Sequence, residues 1–177
     1  GIDHTAVAAI TFTRNGREVL SSRVAGEIGV SVEELTTKDG NFRTVHSIAL
    51  RETGIGKNQL LVDDTESRAW MSEQFDVDFT GQDTEEDSFA VTATEQADIH
   101  RALAVWELSR ARVEPYQTTY EKCVAAGDDL PDFDVSTETI NRYETAKRIG
   151  DRRDFTDVLA EYAGLSFTTE GITETAT

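Results

Sequence analysis

The sequence predicts an α+β fold, a β-rich N-terminal half of hairpins followed by a C-terminal half of three or four helices. Two observations predict it. Up to about residue 93, apolar residues fall in short β-branched runs between turn signals; from Thr94 onward they recur with a period of 3.6. No repeat or low-complexity linker interrupts the 177 residues, so one compact unit, 1–177, is expected. Any subdivision of it would separate a β-rich part, 1–93, from a helical part, 94–177.

Ala6 to Leu20 reads as a hairpin, with the run Ala8 to Thr13 as one strand and Asn15-Gly16 as a tight turn with positive φ. Phe42, Thr44, His46, Ile48 and Leu50 alternate with polar positions after the turn signal Asp39-Gly40-Asn41, which predicts a second extended run. Leu60-Leu61-Val62 reads as a short strand, and Thr65 as the cap of a short helix through Met71. Phe75, Val77 and Phe79, then Phe89-Ala90-Val91 across an acidic loop, suggest a further hairpin. Ile99, Leu103 and Trp106 mark a helix to about Val113, which Pro115 breaks. Tyr116, Tyr120 and Val124 continue on one face until Gly127. Ile140, Tyr143 and Ala146 sit on a helix starting near Ser136 or Thr137. A last helix carries Phe155, Val158, Leu159 and Tyr162 as an inward stripe, closed by Gly164. Leu165 and Phe167 offer an edge strand.

Composition narrows the class of protein. Hydrophobic residues make up 38% and Pro only 2 positions, which excludes wholesale disorder and collagen-like structure. No apolar run approaches the ~20 residues of a membrane span, and no secretion signal is visible. A cytoplasmic or virion location is therefore expected. The single cysteine, Cys123, excludes an internal disulfide framework and a Cys-based zinc site.

Acidic residues outnumber basic ones 34 to 17. Residues 1–62 are neutral, 63–98 carry net −11, and 99–177 carry net −6. With 13 Arg but only 4 Lys, the composition fits a surface of hydrated carboxylates adapted to high salt, and equally a GC-rich genome.

Three motifs bear on chemistry. Gly54-Ile55-Gly56-Lys57-Asn58 lacks both the earlier Gly and the following Ser or Thr of a phosphate loop, and a turn explains its glycines. Asp76, Asp78, Thr80, Gly81, Gln82, Thr84 and Asp87 fall at positions 1, 3, 5, 6, 7, 9 and 12 of a calcium loop. The candidate metal ligands are therefore Asp76, Asp78, Thr80, Gln82 and Asp87, and the candidate ion is Ca²⁺. Asp83 at a normally apolar position, Asp87 in place of a bidentate Glu, and a strand in place of an exit helix count against that loop.

Ser21 to Leu35 resembles a helix-turn-helix motif: Ala25 and Gly29 permit close packing and a turn, and Ser31 with Glu34 forms a capping box. Its second helix begins Val32-Glu33-Glu34, which repels phosphate. His4, His46 and His100 form no ligand pattern; His46 shares an expected strand face with Ile48 and Leu50, and Cys123 reads as core packing. No catalytic residue emerges.

The expected function is accordingly a non-enzymatic structural or interaction subunit of a larger assembly, for instance a virion component, whose partners are other protein subunits or a second copy. One alternative is a DNA-binding regulator using residues 21–35. Another is an acidic mimic of nucleic acid using Asp63 to Asp98. Contacts are expected from the neutral N-terminal segment and the tail around Leu165 and Phe167, since an interface through Asp76, Asp78, Asp83, Glu85, Glu86 and Asp87 would desolvate many like charges.

Overall fold

Two threonines set the course of the N-terminal residues. In the computed structural model, which describes residues 8–37, 41–62, 65–79 and 86–174 (for 86–93 and 174 the backbone only), Thr13 Oγ1 accepts a hydrogen bond from the Gly16 N–H at 3.0 Å. That bond satisfies one free donor of a helix N-terminus, so the chain enters helix α1, Arg14–Ile28, and Asn15-Gly16 lies in its first turn. Thr44 acts in the same way on the Ser47 N–H at 3.2 Å and starts helix α3, Val45–Thr53.

The chain divides into two compact units, residues 1–55 and 56–177. In the first, strand β1, Ala9–Thr11, pairs in parallel with strand β2, Phe42–Thr44, in the register Ala9↔Phe42 and Thr11↔Thr44. Between them run α1 and a five-residue helix α2, Val32–Thr36. Gly29 takes φ 74 at the end of α1, a conformation that costs glycine nothing. Ser31 and Glu34 then form the capping box of α2. Ala25, Leu35 and Phe42 bury against one another as this unit's core.

The second unit is built from five helices among its described residues. These are α4 (Thr65–Phe75), α5 (Glu86–Arg112), α6 (Tyr116–Ala126), α7 (Phe133–Ile149) and α8 (Phe155–Ala163). A hairpin of β3, Leu165–Thr168, and β4, Gly171–Glu174, follows. Pro115 and Gly127 bound α6, and Gly164 at φ 67 closes α8. One core cluster joins Phe75, Val77, Phe79, Ile99 and Tyr143, and a second joins Val105, Trp106, Tyr116 and Ile140. The hairpin is seated by the Tyr116 N–H, which donates to the Thr169 carbonyl at 3.2 Å.

The structure corrects the expected fold class. Among the described residues 67% are helical, in eight α-helices with only short strands, and they form no β-rich N-terminal half of hairpins. Of the expected hairpin Ala6 to Leu20, residues 6 and 7 lie outside the described residues, 9–11 form β1, and 14–20 enter α1 because Thr13 caps; the run from Phe42 keeps only three strand residues because Thr44 caps. His46 is thus a helical residue, not one of a strand face. Leu60 makes a single parallel bridge to Arg153 and no strand. Phe75 ends α4, and Phe89 to Val91 lie inside α5, whose 27 residues begin at Glu86 and not near Thr94.

The stripe assigned to the last helix also needs correction. Val158 is fully buried, but Phe155 is 40% and Tyr162 49% exposed, so α8 packs through Val158 and Ala160.

Candidate functional site: a buried ion network between two clefts

Charged residues meet where three helix ends converge. Arg110 lies in the last turn of α5 and Lys147 in the last turn of α7. Asp154 caps α8, and Asp157 completes its capping box. Helix C-termini favour cations and N-termini favour carboxylates, so each group sits where its own helix dipole supports it. Bringing two C-termini against one N-terminus then pairs the opposite charges.

The pairing is dense. Lys147 Nζ lies 2.7 Å from Asp157 Oδ2, 2.9 Å from Asp154 Oδ2 and 3.0 Å from Glu144 Oε1. Arg110 places Nη2 2.8 Å from Asp154 and Nη1 3.0 Å from Asp157. The side chains of Arg110 and Lys147 are each only 4% exposed. Buried charges persist only when paired and hydrogen-bonded, and here both cations are. Aromatic rings complete the enclosure. The Trp106 indole N–H donates to Glu144 Oε1 at 2.7 Å, the Arg110 guanidinium lies over the Trp106 ring, and the Tyr143 hydroxyl reaches Asp154 Oδ2 at 3.3 Å.

The carboxyls respond in opposite directions. Burial pushes the Asp154 carboxyl up, but Lys147 and Arg110 outweigh burial and hold it well below the usual carboxylate range. Burial and the neighbouring Asp154 charge raise Asp157, against the pull of Lys147. The Lys147 ammonium ends above its ordinary value, because the carboxylates outweigh burial. Burial, then the charge of Asp154, drives the Tyr143 hydroxyl far up, so it stays protonated at neutral pH.

Glu144, Asp154 and Asp157 each offer an oxygen within 4.8 Å of the others, a spacing that could hold a metal ion. The Lys147 ammonium already contacts all three at 2.7–3.0 Å. It stands where the ion would stand, so the triad fits a metal only if Lys147 leaves. Chemically, the network fastens α5, α7 and α8 together.

Two clefts flank it. One of about 660 Å³ is bordered by Glu144, Lys147 and Asp157, and the other, about 770 Å³, by Tyr143 and Asp154; Trp106 and Arg110 line both.

Of the calcium-loop candidates, Asp76 and Asp78 follow α4, whereas Thr80 and Gln82 lie outside the described residues. Asp87 lies on α5, with its side chain outside the description. The loop is therefore flanked by α4 before it and by α5 after it, where a strand was expected. The helix-turn-helix segment is helical on both sides of Gly29, but α2 spans a single turn and carries Glu33 and Glu34 in it. His4 lies outside the described residues; His100 is exposed on α5, its ring 5.1 Å from Phe79. Cys123 is half-buried beside the Trp106 cluster, and burial raises its thiol. Among the described residues, no helix is long and apolar enough to cross a membrane.

The network was not anticipated from sequence. Its one local signal is Asp154-x-x-Asp157 ahead of an apolar run, a capping-box pattern. Comparison with family models, with curated protein sequences and with solved structures finds no match.

Proposed function

We propose that the chain is a non-enzymatic interaction subunit of a larger protein assembly. The observation that carries this reading is the edge of β1. Ala9 and Thr11 point their backbone groups at β2, as the 2.9 Å bond from the Ala9 N–H to the Asn41 carbonyl shows, so Ile10 points its own away. Ile10 is 59% exposed and Phe12, two residues on, is 75% exposed. No described residue pairs with that side of β1, and an open strand edge beside large exposed apolar side chains is the ordinary substrate of strand addition and subunit contact. The ion network supports the reading, since its groups are spent on one another in holding three helices together. Light scattering across a concentration series, with affinity capture from the source cells, tests it. A strict monomer that captures no partner overturns it.

A second reading has one observation in its favour. Helices on both sides of residues 76–87 are what a calcium loop requires. Under it, Asp76, Asp78, Thr80, Gln82 and Asp87 hold Ca²⁺. Calorimetric titration with calcium tests it: saturable heat that Asp76→Asn removes supports the site, and its absence in the unaltered chain ends the reading.

A further inference from the structure

We propose that the 660 Å³ cleft beside the ion network receives an extended acidic segment of a partner protein, added as a strand to the outer edge of β3; this deepens the interaction reading above and rests on it. The hairpin register decides which groups of β3 face outward. Thr168 pairs with Gly171 across a two-residue turn, which makes that pair hydrogen-bonded in both directions. Alternation then makes Ser166 and Thr173 the next bonded pair. The N–H and C=O groups of Leu165 and Phe167 therefore point away from β4, and they have no hydrogen-bond partner among the described residues.

The cleft lies along that edge. Leu165, Ser166 and Phe167 border it in succession, and no residue of β4 does. Consecutive strand residues project to opposite faces, so a cavity touching all three follows the strand's backbone edge. Its volume falls within the range of about 300–1,000 Å³ that ligand sites occupy.

Charge selects the occupant. The last turn of α7 carries Arg148, and the turn from α7 to α8 carries Arg152 and Arg153, to the cleft in a chain of net charge −17. Arg152 is engaged by Glu66 at 3.2 Å and Arg153 by Glu161 at 3.5 Å. Arg148 is exposed and has no ion pair among the described residues. Behind them, Lys147 and Arg110 are neutralised by their own carboxylates. Arg148 is thus the rim's one cation without an ion pair among the described residues, above a floor whose charges are balanced internally. An added strand shows every second side chain to the same side, so acidic residues at alternate positions match both the edge and the rim.

The test uses the full chain and a fluorescein-labelled six-residue peptide alternating Val and Glu, followed by fluorescence anisotropy at 50 mM salt. Saturable binding is expected, weakened at least tenfold by Arg148→Glu. Of two peptides N-methylated on alternate residues, the one blocked on its bonded edge should lose binding and the other should keep it. Because Arg148 has no partner to lose, its replacement should leave the circular dichroism spectrum and melting temperature unchanged. No binding, binding indifferent to Arg148→Glu, or binding indifferent to both N-methylation patterns overturns the inference. The same holds if a second copy of the chain proves to occupy this edge. Should an assembly form through the edge of β1 while the peptide fails, the β3 edge is wrongly assigned and the interaction reading stands.

Discussion

Lys147 Nζ sits 2.7 Å from Asp157 Oδ2, an ammonium in the position a metal ion would take among three carboxylates. The consequence is a lock whose key cannot be removed cheaply. Lys147→Met keeps most of the side-chain volume but leaves Glu144, Asp154 and Asp157 facing one another with only Arg110 to offset them. Removing one partner of a buried ion pair costs about 3–5 kcal/mol. A fall of that size in urea unfolding free energy is expected, whereas a change under 1 kcal/mol would show the network to be hydrated and weak.

The same network predicts an asymmetric response to acid. Asp157 is raised in the folded state, so folding binds a proton there, and its contribution improves as pH falls through that raised value. Asp154 is lowered, so its contribution is present above the unfolded carboxyl value and is lost as pH falls below about 4. Denaturant midpoints measured from pH 7 to pH 3 should therefore hold or rise at first, then drop. Asp157→Asn should flatten the first part and leave the drop, and Asp154→Asn should blunt the drop. Exchanged effects would mean that the two carboxyls have been assigned in reverse.

Val113 carries backbone strain that a single substitution can release. It follows α5 with φ 59, in the left-handed region where a β-branched residue is an outlier. Its N–H donates to the Arg110 carbonyl and that of Glu114 to the Ser109 carbonyl, the paired bonds of a helix terminus that glycine usually closes. The side chain is 60% exposed, so little packing is lost with it. Val113→Gly should stabilise the chain by about 1 kcal/mol, a few degrees in melting temperature. A lower melting temperature would show that the Val113 side chain makes contacts that outweigh its strain.

How far the fold could be read from sequence turns on such local signals. Pro115, Gly127 and Gly164 mark helix ends by their own stereochemistry, and the helices they bound were legible. Thr13 and Thr44 were not. A threonine ahead of Asn-Gly suits a hairpin or a helix cap equally, and pairing of β1 with β2 some thirty residues later decides between them. The bias of Phe89-Ala90-Val91 toward strand likewise yields to its place inside α5. The ion network was hidden for a related reason: Arg110 meets Asp154 and Asp157 from 44 and 47 residues away, a separation that no local pattern encodes. Replacing either threonine by alanine should cost about 1 kcal/mol as a lost cap. Changes within 0.3 kcal/mol at both would mean that these hydroxyl bonds contribute nothing to helix entry.

The interaction reading makes its sharpest prediction at Ile10 and Phe12. Both are large, exposed side chains, 59% and 75% accessible, so in the isolated chain they contribute little to the buried core of Ala25, Leu35 and Phe42. Replacing Ile10 by Lys and Phe12 by Ser together should therefore change unfolding free energy by no more than about 0.5 kcal/mol, the usual range for surface substitutions. If subunit contact runs over this edge, the cost appears in association instead. A lysine beside an open strand edge opposes pairing with another chain, and loss of an aromatic anchor removes the kind of residue that dominates interface energies. Sedimentation velocity should show the doubly substituted chain shifted toward monomer at concentrations where the unaltered chain associates, with an unchanged circular dichroism spectrum. Charge reversal at Glu85 and Glu86 serves as the comparison and should leave association nearly intact, because an interface there would desolvate like charges. If the double substitution lowers stability by 2 kcal/mol or more, Ile10 and Phe12 belong to the fold of their own chain, and the edge of β1 is no interface.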